Sequence, residues 1–178
     1  MKGLSFSEPM VKAWMEGRKT VTRRLIGNPR PDCVWCRGFG YEYIEIEGEP
    51  GMSGYDCRHP CRCIKPHYLP GETVYIKETW AKHPTAIELG HPIVFYKQRG
   101  DTILPDNRWK SPRFMPEWAS RSHAKIISVR PEQLRGMTGI EALLEGFETL
   151  DDFMDCWAKL HGEYDYGAWV WRIELEKT

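Results

Sequence analysis

Five cysteines lie close together in the first third of the chain, in a pattern typical of a zinc site. Cys33 and Cys36 form one short pair, and Cys57, Cys61 and Cys63 follow after an interval of 20 residues. Two such groups at this separation can bring four thiolates around one tetrahedral zinc ion. We expect the ligands to be Cys33, Cys36, Cys57 and Cys61, with Cys63 as the substitute. A site made only of cysteines has no open coordination position, so its zinc is expected to be structural.

The stretch that holds these cysteines, residues 28–66, is rich in proline and glycine and poor in apolar residues. Only residues 41–47 alternate in the manner of a strand. Metal binding can contribute roughly 10 kcal/mol to the folding of such a segment. We therefore predict a zinc-ribbon-like subdomain over 28–66, inserted in a single domain that spans 1–178. Reduced cysteines without metal are the alternative, and disulfides are disfavoured because nothing in the sequence indicates secretion.

A second group of reactive side chains lies in residues 17–24, which hold four basic residues and two hydroxyls. Strand alternation places Thr22 and Arg24 on one face and Arg23 on the other, while Lys19 lies at the turn. An ammonium, a hydroxyl and a guanidinium at this spacing can bind a phosphate or polarise a carbonyl. A solvated basic edge strand that discourages pairing with other chains is the alternative.

The charge of the chain is neutral in total but unevenly distributed. Residues 1–37 hold 8 basic and 3 acidic side chains, whereas residues 131–178 hold 4 and 11. No apolar run approaches the roughly 20 residues of a membrane helix, and no signal-peptide core follows the first residues. We therefore expect a cytoplasmic protein without membrane contacts. Its oligomeric state is left open, with a monomer favoured.

The elements that position these residues follow from capping and periodicity. A helix is predicted between Ser7 and Gly17. A second begins with a capping box formed by Thr138 and Glu141 and stops at Gly146. The buried stripe of a third is predicted to hold Phe153, Met154, Trp157 and Leu160. Strands are predicted over 20–26, 73–80, 93–96, 123–130 and 169–176, the last of them half-buried. Without a regular strand-helix-strand repeat, this order favours an α+β fold around a small, closed or nearly closed sheet.

Glu78 is expected to share a strand face with apolar side chains, including Trp80. A carboxylate on such a face is costly unless it is paired or lines a cleft, and Arg24 and Arg121 are the candidate partners. Four tryptophans could stack a nucleic-acid base, although filling the core is the alternative and is expected for at least two of them: Trp80, Trp109, Trp118 and Trp169.

The order of several motifs resembles the ASCH superfamily, whose members have a fold related to the PUA domain. The resemblance covers most of the chain outside the cysteine-rich stretch and points to the phage and prophage branch. The motifs are MKGLSF (1–6), GRKT (17–20), PGE (70–72), VYIKETW (74–80), MPEWASR (115–121), EGF (145–147) and WVW (169–171). The resemblance implies a PUA-like small β-barrel with flanking helices around the zinc-binding insertion.

The resemblance also implies two functions. The leading one is binding of RNA or a modified nucleoside in a basic cleft beside the barrel. A weaker similarity to the N4-acetylcytidine amidohydrolase branch implies an alternative, hydrolysis of an acylated nucleobase by Lys19, Thr22 and Glu145. On a helical wheel Glu145 points away from its apolar neighbours, so a solvated carboxylate is equally compatible with the sequence. A third possibility is an adaptor that engages a host protein through the zinc insertion. The residues expected to line the cleft are Gly17, Arg24, Glu78, Trp80 and Arg121.

Overall fold

The structure, a computed structural model, describes residues 1–26, 66–83 and 93–178. Apart from Pro66, the predicted insertion at 28–66 lies outside these ranges. Within them, no group of three or more His, Cys, Asp or Glu side chains is placed to hold a metal ion. No helix in the same ranges is long and apolar enough to cross a membrane. The candidate zinc ligands also lie outside the described residues: Cys33, Cys36, Cys57, Cys61 and Cys63.

The α+β class is confirmed. The described residues form seven strands and three helices, with several single-turn 3-10 helices between them. The strands are β1 (Lys2–Ser5), β2 (Val21–Leu25), β3 (Thr73–Lys77), β4 (Trp80–Lys82), β5 (Val94–Tyr96), β6 (His123–Gln133) and β7 (Trp169–Lys177). The helices are α1 (Glu8–Met15), α2 (Gly139–Leu144) and α3 (Leu150–His161).

Five strands form one sheet in the order β1-β3-β6-β7-β2, and β4 and β5 form a separate hairpin. β1 pairs with β3 in parallel, whereas the other neighbours are antiparallel. In this part of the chain the two edge strands, β1 and β2, do not pair, so the described sheet is open. They are linked by one side chain, since Arg24 on β2 donates a hydrogen bond of 2.7 Å to the carbonyl of Ser5 on β1.

The last strand, β7, is buried on both faces, so the prediction of a half-buried strand was wrong. Trp171 and Ile173 belong to the main core, which α1 covers. On the opposite face, Val170 packs with Phe153 and Trp157 of α3 in a second core. The helices α2 and α3 thus cover the face of β7 that was expected to meet solvent.

The buried stripe of α3 is narrower than its periodicity predicted. Phe153 and Trp157 are buried, Met154 is half-buried, and Leu160 is 63% exposed. Thr149 and Asp152 form a full capping box at the start of the helix. Leu160, near the C-terminal end of α3, lies outside the second core.

Candidate functional site

Lys19 lies in the turn between α1 and β2, where the end of α2 closes over it. Gly17 ends α1 in the left-handed conformation with a φ of 76°, and the Lys19 amide returns to the Ala13 carbonyl at 3.1 Å. Gly146, just after α2, has a φ of 91°, and a Cβ there would lie 2.5 Å from the Cβ of Ala13. Only glycine fits this conformation and this close approach. The backbone of α1 and the end of α2 therefore enclose the lysine side chain.

The ammonium of Lys19 makes three hydrogen bonds inside the protein. Its Nζ atom donates to Oε2 of Glu145 at 2.7 Å, to the Glu145 carbonyl at 2.8 Å and to the Val21 carbonyl at 2.7 Å. Lys19 and Glu145 are buried, each with 1% of its surface exposed. Nζ also lies 5.1 Å from the centre of the Phe6 ring. Lys19 and Glu145 form a buried ion pair.

Glu145 is buried because α2 packs with a different face from the one that its apolar pattern indicated. Ile140 and Leu143, expected to face the core, are 72% and 52% exposed. The backbone amide of Thr20 donates to the Leu144 carbonyl at 2.9 Å and joins the end of α2 to the start of β2. The alternative that placed the Glu145 carboxylate in solvent was therefore wrong.

The surroundings of Lys19 favour its neutral form more than water does. Burial lowers the pKa of Lys19 below its ordinary value of 10.5, and the carboxylate of Glu145 opposes this effect. The positive charges of Arg24 and Arg23 lower the pKa further. A lysine with a lowered pKa can accept a proton nearer to neutral pH, which is the property that a general base needs.

Thr22 lies on β2 opposite Ile173 of β7 and is completely buried. Its hydroxyl oxygen makes no hydrogen bond with any described residue. The hydroxyl is therefore not bonded to Lys19, although Lys19 lies in the turn that leads into β2. A buried polar atom without a partner costs about 1–3 kcal/mol, so its retention calls for an explanation.

Arg23 is a member of the site that the sequence did not single out. Its guanidinium is buried and contacts Oε1 of Glu145 at 3.3 Å, Oε2 of Glu141 at 2.5 Å and Oε1 of Glu132 at 2.6 Å. The two oxygens of Glu145 are thus held from two sides, by Arg23 and by Lys19. The capping-box pattern at residues 138–141 predicts a local contact for the Glu141 side chain and gives no indication of its ion pair with Arg23.

Glu141 also receives hydrogen bonds from Arg172, at 3.1 and 3.2 Å. Burial tends to raise the pKa of Glu141, but the bonds from Arg172 and Arg23 outweigh it and hold the pKa below its ordinary 4.5. A carboxyl with a lowered pKa in the folded state stabilises the protein above its unfolded-state pKa, and this stability is lost as the pH falls through the folded-state pKa.

We therefore expect Glu141→Gln to be less stable than the parent at neutral pH, with a difference that narrows progressively below about pH 4.5. Urea unfolding of both proteins at several pH values measures this difference. Glu148→Gln is the matched control, since Glu148 is exposed and lies near α2. If the difference in unfolding free energy between Glu141→Gln and the parent does not change with pH, the pKa of Glu141 is not lowered in the folded protein.

Glu78 and Arg121 form a second ion pair, in which Glu78 is buried and the Arg121 side chain is half-buried. Arg121 donates to Oε1 and Oε2 of Glu78 at 2.8 and 2.9 Å, and its guanidinium lies 4.6 Å from the centre of the Tyr96 ring. The prediction of a cationic partner for Glu78 is confirmed, with Arg121 rather than Arg24. Trp80 is buried in a small core with Tyr96. Among the described residues, no hydrogen bond or ion pair joins Glu78, Trp80 or Arg121 to Lys19 or Glu145.

Arg24 remains the cation of the site without a carboxylate partner in the described ranges. It donates to the carbonyls of Ser5 and Arg23 at 2.7 and 3.1 Å. A solvent-open cavity of about 380 Å³ lies beside the turn and is lined by Gly17, Lys19 and Thr20, among others. Of the predicted site residues, the structure brings Lys19 and Glu145 into contact, and Gly17 lies in the same turn as Lys19.

The arrangement offers a buried lysine with a lowered pKa, a carboxylate that holds it and an unpaired hydroxyl on β2. These groups can hydrogen-bond the polar edge of a small ligand or support acid-base chemistry on it. No family model, curated protein or solved structure matches the chain. The function is therefore inferred from the site itself.

Proposed function

We propose that the site around Lys19 recognises a modified nucleoside, either free or within RNA. The observation that carries the proposal is the buried pair of Lys19 and Glu145 next to the strand that holds the unpaired hydroxyl of Thr22. Binding sites for small molecules commonly combine a concave surface with a few placed polar groups. The cavity beside the turn is lined by Lys19, whereas Thr22 and Glu145 are not among its lining residues. Membership of the ASCH superfamily, with its PUA-like barrel, is part of the same proposal.

Arg24 is the residue that we assign to the phosphate or ribose oxygens of the ligand. Its guanidinium donates hydrogen bonds to carbonyl oxygens, and no carboxylate among the described residues neutralises its charge. Arginine binds phosphate well because its planar fork can donate two hydrogen bonds at once. Arg121 is less suited to this role, since Glu78 already occupies its fork.

Isothermal titration with N4-acetylcytidine and with cytidine tests the recognition. We expect the acetylated nucleoside to bind more tightly, and Arg24→Ala to weaken binding to the corresponding nucleotide by roughly 1–3 kcal/mol. Arg135→Ala serves as the control, because Arg135 is exposed and lies in a different part of the chain. Equal affinity for the two nucleosides, or equal effects of the two substitutions, would contradict the proposal.

A second candidate, hydrolysis of the amide of an acylated nucleobase, is favoured by the lowered pKa of Lys19 and its 2.7 Å contact with Glu145. Because the ammonium of Lys19 donates three hydrogen bonds in the structure, it must first release a proton to solvent. A water oxygen then forms a bond to the acyl carbon, and the neutral amine of Lys19 accepts the proton that the water loses. The C–N bond breaks and this proton passes to the leaving amine, so the products are the deacylated nucleoside and acetic acid, which ionises to acetate. Glu145 orients the lysine.

Thr22 fits best as the group that holds the attacking water. Its hydroxyl has both its donor and its acceptor capacity unused among the described residues, which would also explain why an unpaired hydroxyl is retained. Direct attack by Thr22 would require Lys19 to approach it, and the two make no hydrogen bond in the structure. Because Nζ of Lys19 is buried, the end of α2 must move when substrate reaches it.

The structural zinc remains a separate prediction, and so does the adaptor function that would use the insertion. We expect one zinc ion per chain, held by four of the five cysteines between Cys33 and Cys63, because this segment has no apolar core of its own. Elemental analysis of purified, untagged protein measures the metal content. Protein that contains no metal and yet keeps residues 33–63 ordered under reducing conditions would contradict it.

A further inference from the structure

Two large aromatic side chains are unusually exposed on residues 108–118, away from the Lys19 site. Phe114 is 70% exposed and Trp118 is 53% exposed. They lie on two single-turn helices, Pro112–Phe114 and Glu117–Ala119, which follow one another closely. Exposed rings of this size cost free energy in water, so a pair of them on one short segment indicates a contact surface.

These rings are held in place by buried residues beneath them. Met115 lies between the two single-turn helices and is 1% exposed, and its carbonyl accepts a hydrogen bond from the Tyr75 hydroxyl at 3.3 Å. The ring of Trp118 packs edge-on against buried Trp80, with 5.9 Å between the ring centres. The aromatic surface is therefore anchored to the protein core and needs little ordering when a ligand binds.

Basic side chains on the same segment and on β3 and β4 have no acidic partner among the described residues. Nζ of Lys77 donates to the Arg113 carbonyl at 2.7 Å, and Nζ of Lys110 lies 5.1 Å from the centre of the Trp80 ring. A hydrogen bond of 2.8 Å from the Asn107 side chain to the Lys82 carbonyl places residue 108 next to β4. In the part of the chain that is described, none of these cations forms an ion pair: Lys77, Lys82, Arg108, Lys110 and Arg113.

Acidic residues do not cancel this charge. Between 105 and 118 the acidic side chains are Asp106 and Glu117. Glu117 is already neutralised by the N-terminal amine of Met1, at 2.6 Å. Lys97 and Arg99, by contrast, are paired with Glu8 and Asp101. The surface on 108–118 thus combines exposed rings with unpaired positive charge.

We infer that this surface binds a single strand of nucleic acid, with bases stacked on Trp118 and Phe114 and phosphates held by the surrounding cations. Every base offers a face on which an aromatic ring can stack, and unpaired bases are required for this contact. The cations complement the charge of the phosphates. The inference rests on the proposed function for the nature of the ligand, because the recognised nucleoside would then be part of a strand. The residues of the 108–118 surface do not include Lys19.

Fluorescence anisotropy of labelled oligouridine and oligothymidine, each of about twelve nucleotides, tests the surface. We expect Phe114→Ala and Trp118→Ala each to weaken binding by about 5- to 150-fold, the usual value of one stacked base. Tyr166→Ala is the matched control, because Tyr166 is 58% exposed but flanked by acidic residues. The two oligonucleotides distinguish RNA from DNA as the preferred strand, and thermal melts confirm that each variant is folded.

The charge of the surface is tested by the salt dependence of the same binding. Lys110→Ala and Arg113→Ala are each expected to reduce the slope of log K against log salt by about 0.7 to 1. Lys159→Ala on α3, which changes an exposed lysine outside this surface, should leave the slope unchanged. A slope that all three substitutions change equally would contradict the assignment of the phosphates to this surface.

Three outcomes overturn the inference: no binding of either strand, no effect of Phe114→Ala and Trp118→Ala, or equal binding of an oligoglutamate peptide, which would indicate a surface for acidic proteins. Lys19→Met and Arg24→Ala separate this inference from the proposed function. If strands bind at 108–118 while no acylated nucleoside is recognised, the proposed function fails alone. If nucleosides are recognised and strands are not, the inference fails alone.

Discussion

Acetate release from N4-acetylcytidine should fall at least ~100-fold when Lys19 is replaced by methionine, the lower end for loss of a positioned acid-base group. Methionine keeps the length of the buried side chain but cannot accept the proton of the attacking water. Thr22→Ala should lower the rate to a similar extent, because the water loses the hydroxyl that holds it. The measurement is the rate of acetate release per folded protein, with circular dichroism at the assay temperature as the check on folding.

Lys12→Met is the control for this experiment, since the side chain of Lys12 is 64% exposed on α1 and should be dispensable. Equal turnover by the parent and Lys19→Met would exclude Lys19 as the base. If the parent releases no acetate from this or related acylated nucleosides while it still binds them, the protein recognises the nucleoside without hydrolysing it.

Replacing Glu145 with glutamine should lower the free energy of unfolding by about 3–5 kcal/mol, the usual cost of removing one member of a buried ion pair. Glutamine has nearly the same size, so packing is kept while Lys19 loses its carboxylate. Arg23 loses one of its three carboxylates but keeps Glu132 and Glu141. The main cost is therefore the uncompensated charge of the buried lysine. Urea unfolding monitored by fluorescence measures it.

Glu148→Gln makes the same chemical change three residues later at an exposed position, and it should change stability by less than about 0.5 kcal/mol. A double variant, Lys19→Met with Glu145→Leu, should recover much of the lost stability, because apolar residues of similar volume can replace a buried pair. A loss in Glu145→Gln no larger than in Glu148→Gln would show that the pair does not support the fold.

Local signals in the sequence were sufficient for the regular elements. Ser7 and Gly17 bracket the first helix, which the structure places at Glu8–Met15, and β-branched residues mark β2 at Val21–Leu25. Thr138 accepts a hydrogen bond from the Glu141 amide at the start of α2, as the capping signal predicted. These features depend on residues within a turn or two of one another, so a short stretch of sequence contains all the interactions that decide them.

Some of the candidate site could also be predicted, because the residue types narrowed the choices. A carboxylate expected among apolar side chains implied a cation for Glu78, and two arginines were named before the structure identified Arg121. Lys19 and Glu145 were paired only through the resemblance, since 126 residues separate them in the chain. Nothing in the local pattern of either residue indicates the other.

Local sequence patterns are sufficient for the α+β class, the helix ends and the residue types available for chemistry. Packing decides which of these residues meet: it turns Glu145 inward, exposes Ile140 and Leu143, and buries both faces of β7 over residues 170–173. It also placed Arg23 among three carboxylates from distant parts of the chain. The physical reason is that the burial of a helix face depends on the surface it packs against. For α2 that surface carries the buried charges of Lys19 and Arg23. Leaving these charges without a carboxylate would cost more free energy than exposing two apolar side chains of a short helix, so Glu145 faces inward.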